Sequence, residues 1–132
     1  MFRSTTRRRT LAGGVLAATA LTGVVAIAGA GPASAATITT VPLNPGQSHC
    51  VSQYAGFQVR GDGWATGGGA RFKLLKAGTV LEATPGRVTG WAAERRASYG
   101  NFPGPGFYSV CAYNTGDTRT TATLQIRSDY EF

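Results

Sequence analysis

Beyond residue 35, no run of twelve or more residues keeps a helical apolar period without meeting glycine or proline. Short runs rich in valine, isoleucine, threonine and aromatic residues alternate instead with clusters of Gly, Pro, Asn and Asp, the pattern of strands and turns. Strands are expected at residues 37–41, 49–54, 57–60, 70–76, 79–83, 87–93, 107–114 and 118–127. The connectors then fall at 42–46, 61–69, 85–86, 100–106 and 114–117. Seven or eight short strands at this spacing predict an all-β, two-sheet antiparallel sandwich. Within the last strand, Thr120, Ala122, Leu124 and Ile126 share one face. Thr121, Thr123, Gln125 and Arg127 share the other and read as solvent-facing.

Two hairpins are expected. One joins 72–75 to 79–81 through Lys76-Ala77-Gly78, with Gly78 supplying a left-handed residue. The other joins 107–114 to 118–126 through Asn114-Thr115-Gly116-Asp117.

Residues 1–35 have the layout of a secretory leader. Arg3, Arg7, Arg8 and Arg9 form a positive start, 11–30 is uncharged, and Pro32 precedes the small-residue site Ala33-Ser34-Ala35. Cleavage after Ala35 or Ala36 leaves one domain at 36–132, secreted and free of the membrane. Arg8-Arg9 also fits a twin-arginine signal, so both export routes suit this leader. Removing it changes the charge. The whole chain is +7, whereas 36–132 carries nine basic against six acidic residues, or +3. The basic residues are scattered, which argues against a nucleic-acid surface. Cys50 and Cys111 are the only cysteines and, in an exported chain, are expected to pair.

Catalytic constellations are not indicated. The single histidine, His49, adjoins a cysteine committed to a disulfide. Glu82 and Glu94 are the only carboxylates placed to face each other across strands, as a glycosidase pair would. Asp62 and Asp117 sit beside glycines and read as turn residues. Arg60-Gly61-Asp62 spells an adhesion tripeptide that a turn explains equally. No metal-ligand spacing and no cofactor motif occurs, so neither metal nor cofactor is expected.

The spacing Cys50-x13-Trp64-x46-Cys111 resembles the Cys…Trp…Cys layout of immunoglobulin-like domains. That resemblance implies a two-sheet sandwich. The segments 41–47 and 104–110 are similar to those of β-sandwich domains appended to secreted bacterial peptidases. Where that family has an acidic strand, this chain has Ala70-Arg71-Phe72-Lys73-Leu74. Both likenesses concern architecture.

Aromatic content and loop chemistry point to a non-enzymatic binding module, expected to be a monomer. Trp64, Tyr99 and Phe102 fall in expected Gly/Pro-rich loops, where flat rings with polar tips suit stacking on sugars or packing on a protein. Arg95 and Arg96 are the polar anchors. The expected partner is an extracellular polysaccharide or protein. The alternative is a protease inhibitor presenting Arg95 or Arg96 on an exposed loop.

Overall fold

The computed structural model describes residues 36–132; the expected leader and its cleavage site lie outside the described residues. Eight strands follow in order: β1 (Thr37–Leu43), β2 (Ser48–Ala55), β3 (Gln58–Ala65), β4 (Arg71–Lys76), β5 (Thr79–Ala83), β6 (Gly90–Arg96), β7 (Gly106–Tyr113) and β8 (Thr120–Ser128). They form two antiparallel four-stranded sheets, β1-β8-β3-β6 and β2-β7-β4-β5. Every connection except β4–β5 carries the chain from one sheet to the other. This is the winding of an eight-stranded jelly roll.

The β4–β5 hairpin turns through Ala77 and Gly78 alone, both at positive φ (48° and 87°), so the loop is one residue shorter than expected. The second expected hairpin is not one. β7 and β8 lie in different sheets, and Asn114 builds the corner between them. Its buried amide donates to Leu43 O and Thr118 O, both at 2.8 Å, and its carbonyl accepts from Gly116 N at 3.0 Å. A turn-forming residue therefore serves a change of sheet.

The core fills the space between the sheets. Val59, Leu124 and Ile126 from one meet Phe72, Leu74, Tyr108 and Val110 from the other, all fully buried. Each such side chain contributes about 1.5–3 kcal/mol of burial. The 58–65 strand explains why half of it reads as a loop. Gly61 and Gly63 point inward, and a Cβ at either would collide, with Val110 at 61 and with the Phe72 ring at 63. Phe72 stacks on Trp91 with centroids 5.7 Å apart in the space these glycines leave.

Tyr108 is the other large core side chain, and its hydroxyl donates to Gly104 O at 2.6 Å. Burial holds that phenol above its ordinary value. Phe102 stacks on Tyr108 at 5.4 Å and packs against the core, so the loop it stands on is anchored rather than presented.

Cys50 and Cys111 form a disulfide and are direct cross-strand partners on β2 and β7, with Cα atoms 4.0 Å apart. The bond therefore lies within one sheet, whereas the immunoglobulin-like layout joins two. Trp64 also points outward, away from it. The strand order and both placements separate this fold from that layout.

Candidate functional site

Among the described residues, the outer face of β1-β8-β3-β6 carries a side-chain ion network. Alternation along β3 sends Gln58, Arg60, Asp62 and Trp64 outward while Val59, Gly61, Gly63 and Ala65 face the core. Register then sets Arg127 and Glu94 beside Arg60, Gln125 and Ala92 beside Asp62, and Thr123 and Gly90 beside Trp64. Thr40, on β1, reaches Thr123 through a 2.9 Å hydroxyl contact. The indole of Trp64 is 46% exposed and stands among threonine, alanine and glycine. It is a flat apolar plate on a sheet face with short neighbours.

Next to it lies an ion network. Arg60 forks onto Asp62 through Nε (3.0 Å) and Nη2 (3.0 Å) and reaches Glu94 through Nη1. Arg127 Nη2 donates to Asp62 Oδ2 at 3.0 Å, the oxygen that also accepts from Arg60 Nε. Arg96 Nε donates to Glu94 at 2.9 Å, and its Nη1 donates to Gln58 at 3.2 Å. Three guanidinium groups thus share two carboxylates. Asp62 foremost, then Glu94, raises the Arg60 guanidinium above its ordinary value. The hydrogen bond from Arg96 is the largest influence on Glu94 and holds its carboxyl below the ordinary range. The far end is closed by aromatic rings. Arg96 lies 5.3 Å from the Tyr99 centroid and 4.7 Å from that of Phe132.

The predicted site residues are therefore divided. Trp64 is on strand β3, not in a loop, because Gly61 and Gly63 before it are inward strand positions. Tyr99 is 64% exposed on the short turn after β6, joined to the same network through Arg96. Phe102 is turned into the core. Arg95 and Arg96 are on strand β6, not on an exposed loop, and they face opposite ways. Arg95 donates to Glu82 of β5 at 3.0 Å, to Leu81 O at 3.2 Å and to Glu94 O at 2.8 Å. It clasps the open edges of the two sheets together. A protease could not draw its side chain out without breaking all three contacts.

Several other expectations also change. Glu82 and Glu94 stand on different sheets and do not face each other. Arg60-Gly61-Asp62 is strand, with the arginine and aspartate bonded to each other. Arg60, Asp62, Glu94 and Arg127 form a group that only the strand register brings together. The signal was the two-residue period Arg60-x-Asp62-x-Trp64, which the intervening glycines disguised as a turn.

His49 and Ser48 line a cavity of about 280 Å³ between β1 and β2, together with Val41, Pro42, Leu43 and Gln47. Among the described residues, no carboxylate lines it to complete a serine triad with them. Among the described residues, no three His, Cys, Asp or Glu side chains converge as a metal site would require.

No protein-family model and no curated protein matches the chain. Solved structures do. The pre-peptidase C-terminal domain of a collagenase from Bacillus anthracis superposes with a TM-score of 0.53 at 13% identity, covering 69% of this chain and 88% of that one. A de novo designed double-stranded β-helix gives a TM-score of 0.44 at 20% identity, covering 69% and 99%. PliG of Aeromonas hydrophila, a periplasmic inhibitor of g-type lysozyme, gives 0.46 at 11% identity, covering 70% and 86%. The peptidase-associated domain shares the fold of this chain, as the sequence resemblance implied. The disulfide fits an oxidising compartment.

Proposed function

We propose that this is a secreted, non-catalytic binding module whose ligand is an extracellular polysaccharide, held on the outer face of β1-β8-β3-β6. The observation that carries the reading is the half-exposed Trp64 indole on a sheet face of short side chains, beside a fixed array of guanidinium and carboxylate groups. A pyranose ring offers an apolar face to the indole and equatorial hydroxyls to Arg60 and Arg127, which the buried Asp62 carboxylate holds in place. Tyr99 and Arg96 extend the same face by roughly the 20 Å that six strand residues span. The ion network is assembled before ligand arrives, so little ordering entropy is lost on binding.

The test mixes the oxidised protein with chitin, cellulose and purified peptidoglycan and follows the bound fraction against salt. Retention by one of these polymers is expected to survive high salt and to weaken about tenfold or more in Trp64→Ala. Retention lost at moderate salt reports charge alone, and together with an unaffected Trp64→Ala would refute the reading.

A further inference from the structure

Charge is divided between the two faces of the molecule. The arginines that form ion pairs, Arg60, Arg95, Arg96 and Arg127, all stand on β3, β6 and β8. Among the described residues, Arg71, Lys73, Lys76, Arg87 and Arg119 have no carboxylate within ion-pair distance. Arg71 and Lys73 share the outer face of β4, on the opposite sheet from Trp64. Register sets Tyr113 directly across from Arg71 and Cys111 across from Lys73. The ammonium of Lys73 sits 4.7 Å from the Tyr113 ring centroid.

These side chains enclose a small space. Arg71, Lys73, Tyr113 and Thr115 line a cavity of about 100 Å³. That volume holds about three waters, which suits one charged group rather than a whole sugar. Arg71 is held in place because Nε and Nη2 both donate to Thr84 O, at 3.3 and 3.1 Å. Its Nη1 has no protein acceptor among the described residues. Glycines at 68 and 116 make room for a third cation. A Cβ at either position would collide with the guanidinium of Arg87, which is thereby seated against the neighbour of Thr115. Two donor-rich cations, a hydroxyl and an aromatic wall converge without a counter-charge.

We propose that the pocket of Arg71, Lys73, Tyr113 and Thr115 binds an oxyanion, carboxylate or phosphate, carried on an acidic extracellular glycan. The free Nη1 and the Lys73 ammonium donate to the oxyanion, and Tyr113 covers the apolar flank of the sugar that bears it. The proposal does not depend on Trp64, which lies on the other sheet.

The test is an NMR titration of the oxidised, isotope-labelled protein at fixed ionic strength. Polygalacturonate supplies carboxylates, a glycerol-phosphate polymer supplies phosphates, dextran is the neutral control and single-stranded DNA the charge control. Saturable shifts centred on Lys73, Tyr113 and Thr115 are expected with one of the acidic glycans, and the responding polymer identifies the anion. Lys73→Ala is expected to weaken that binding about tenfold or more, and Trp64→Ala to leave it unchanged. Arg71→Gln, which keeps an amide donor for Thr84 O, gives the same loss without disturbing the β4–β5 edge. Shifts spread equally over Arg87, Arg119 and Lys76, an equal response to the DNA, or binding undiminished in both variants would overturn the proposal.

Discussion

Gly63→Ala tests whether the inward glycines of β3 are there to admit the aromatic pair beneath them. The new Cβ falls 2.5 Å from both Cδ1 and Cε1 of Phe72 and 3.0 Å from its Cγ. Carbon atoms in packed interiors sit about 3.5–4.0 Å apart, so the ring would have to retreat by about 1 Å. It has no room to do so, being fully buried and stacked on Trp91 with the planes only 6° apart. Overpacking of this kind costs about 1–3 kcal/mol. Replacing glycine in a strand returns about 0.5–1 kcal/mol through the unfolded chain. The net expectation is a loss of up to about 2.5 kcal/mol, centred on about 1 kcal/mol, which corresponds to a fall in Tm of about 4–8 °C for a domain of this size.

Gly90→Ala is the internal control. It lies on the neighbouring strand, across from Trp64, and a Cβ there meets nothing within 4 Å. It is expected to be neutral or slightly stabilising, by up to about 0.5–1 kcal/mol. Thermal unfolding of both variants, with Phe72→Leu added to Gly63→Ala, separates the causes. The smaller side chain should recover part of the loss specific to position 63. If Gly63→Ala melts with or above the Gly90→Ala protein, these glycines do not serve close packing and the account of β3 is wrong.

The remaining predictions concern the charged side chains. Glu94 has a folded value lowered from the ordinary 4.5, so its contribution is fully present above that value and is lost as pH falls through the lowered one. Urea midpoints of wild type and Glu94→Gln should therefore differ at pH 7 and converge as pH falls below the ordinary 4.5 and through the lowered value, whereas a constant gap would contradict the network. Arg95→Ala removes the clasp between β5 and β6 and is expected to cost about 1–2 kcal/mol in denaturant unfolding. The native wild type should also resist tryptic cleavage after Arg95. Saturable inhibition of trypsin that Arg95→Ala abolishes would restore an inhibitory role to this residue, whereas rapid cleavage after it with no inhibition would count against one.

Much of the fold was legible because period-two alternation and turn residues are local signals. Seven of the eight strands fall where the sequence puts them, within about three residues at their ends, whereas β3 runs on to Ala65 through residues expected to be loop; the burial pattern of Thr120–Ser128 follows the expected alternation. Connectivity between the sheets was not legible. Asn114-Thr115-Gly116-Asp117 has the chemistry of a tight turn whether the next strand pairs with the last or crosses to the other layer, and only Leu43 O, a distant acceptor, distinguishes the two. The candidate site was legible residue by residue but not as a group. Trp64 stands out by its type, whereas Asp62 beside two glycines looks like a turn until Phe72 and Val110 are seen to need those glycines. Arg95 and Arg96 form an adjacent pair in sequence and reach opposite surfaces in a strand, so one enters the face network and the other the inter-sheet clasp.

The core and the candidate site thus share one cause. In the Arg60–Trp64 stretch of β3, every second position must be glycine for the sheets to close over Phe72 and Trp91. A strand so depleted of inward side chains gains little burial of its own and is held by hydrogen bonds to β6 and β8 on both sides. The outward positions supply further contacts. Arg60 and Asp62 bond to each other along the strand and to Glu94 and Arg127 across it, which joins the three strands at the level where the core is thinnest in side chains from β3. Trp64, next in the same row, takes part in none of these ion pairs and leaves its indole half uncovered. A residue placed at the end of a rigid network, and itself unneeded by that network, is free to be used by a ligand. The ion pairs therefore fix the position of the plate without occupying it.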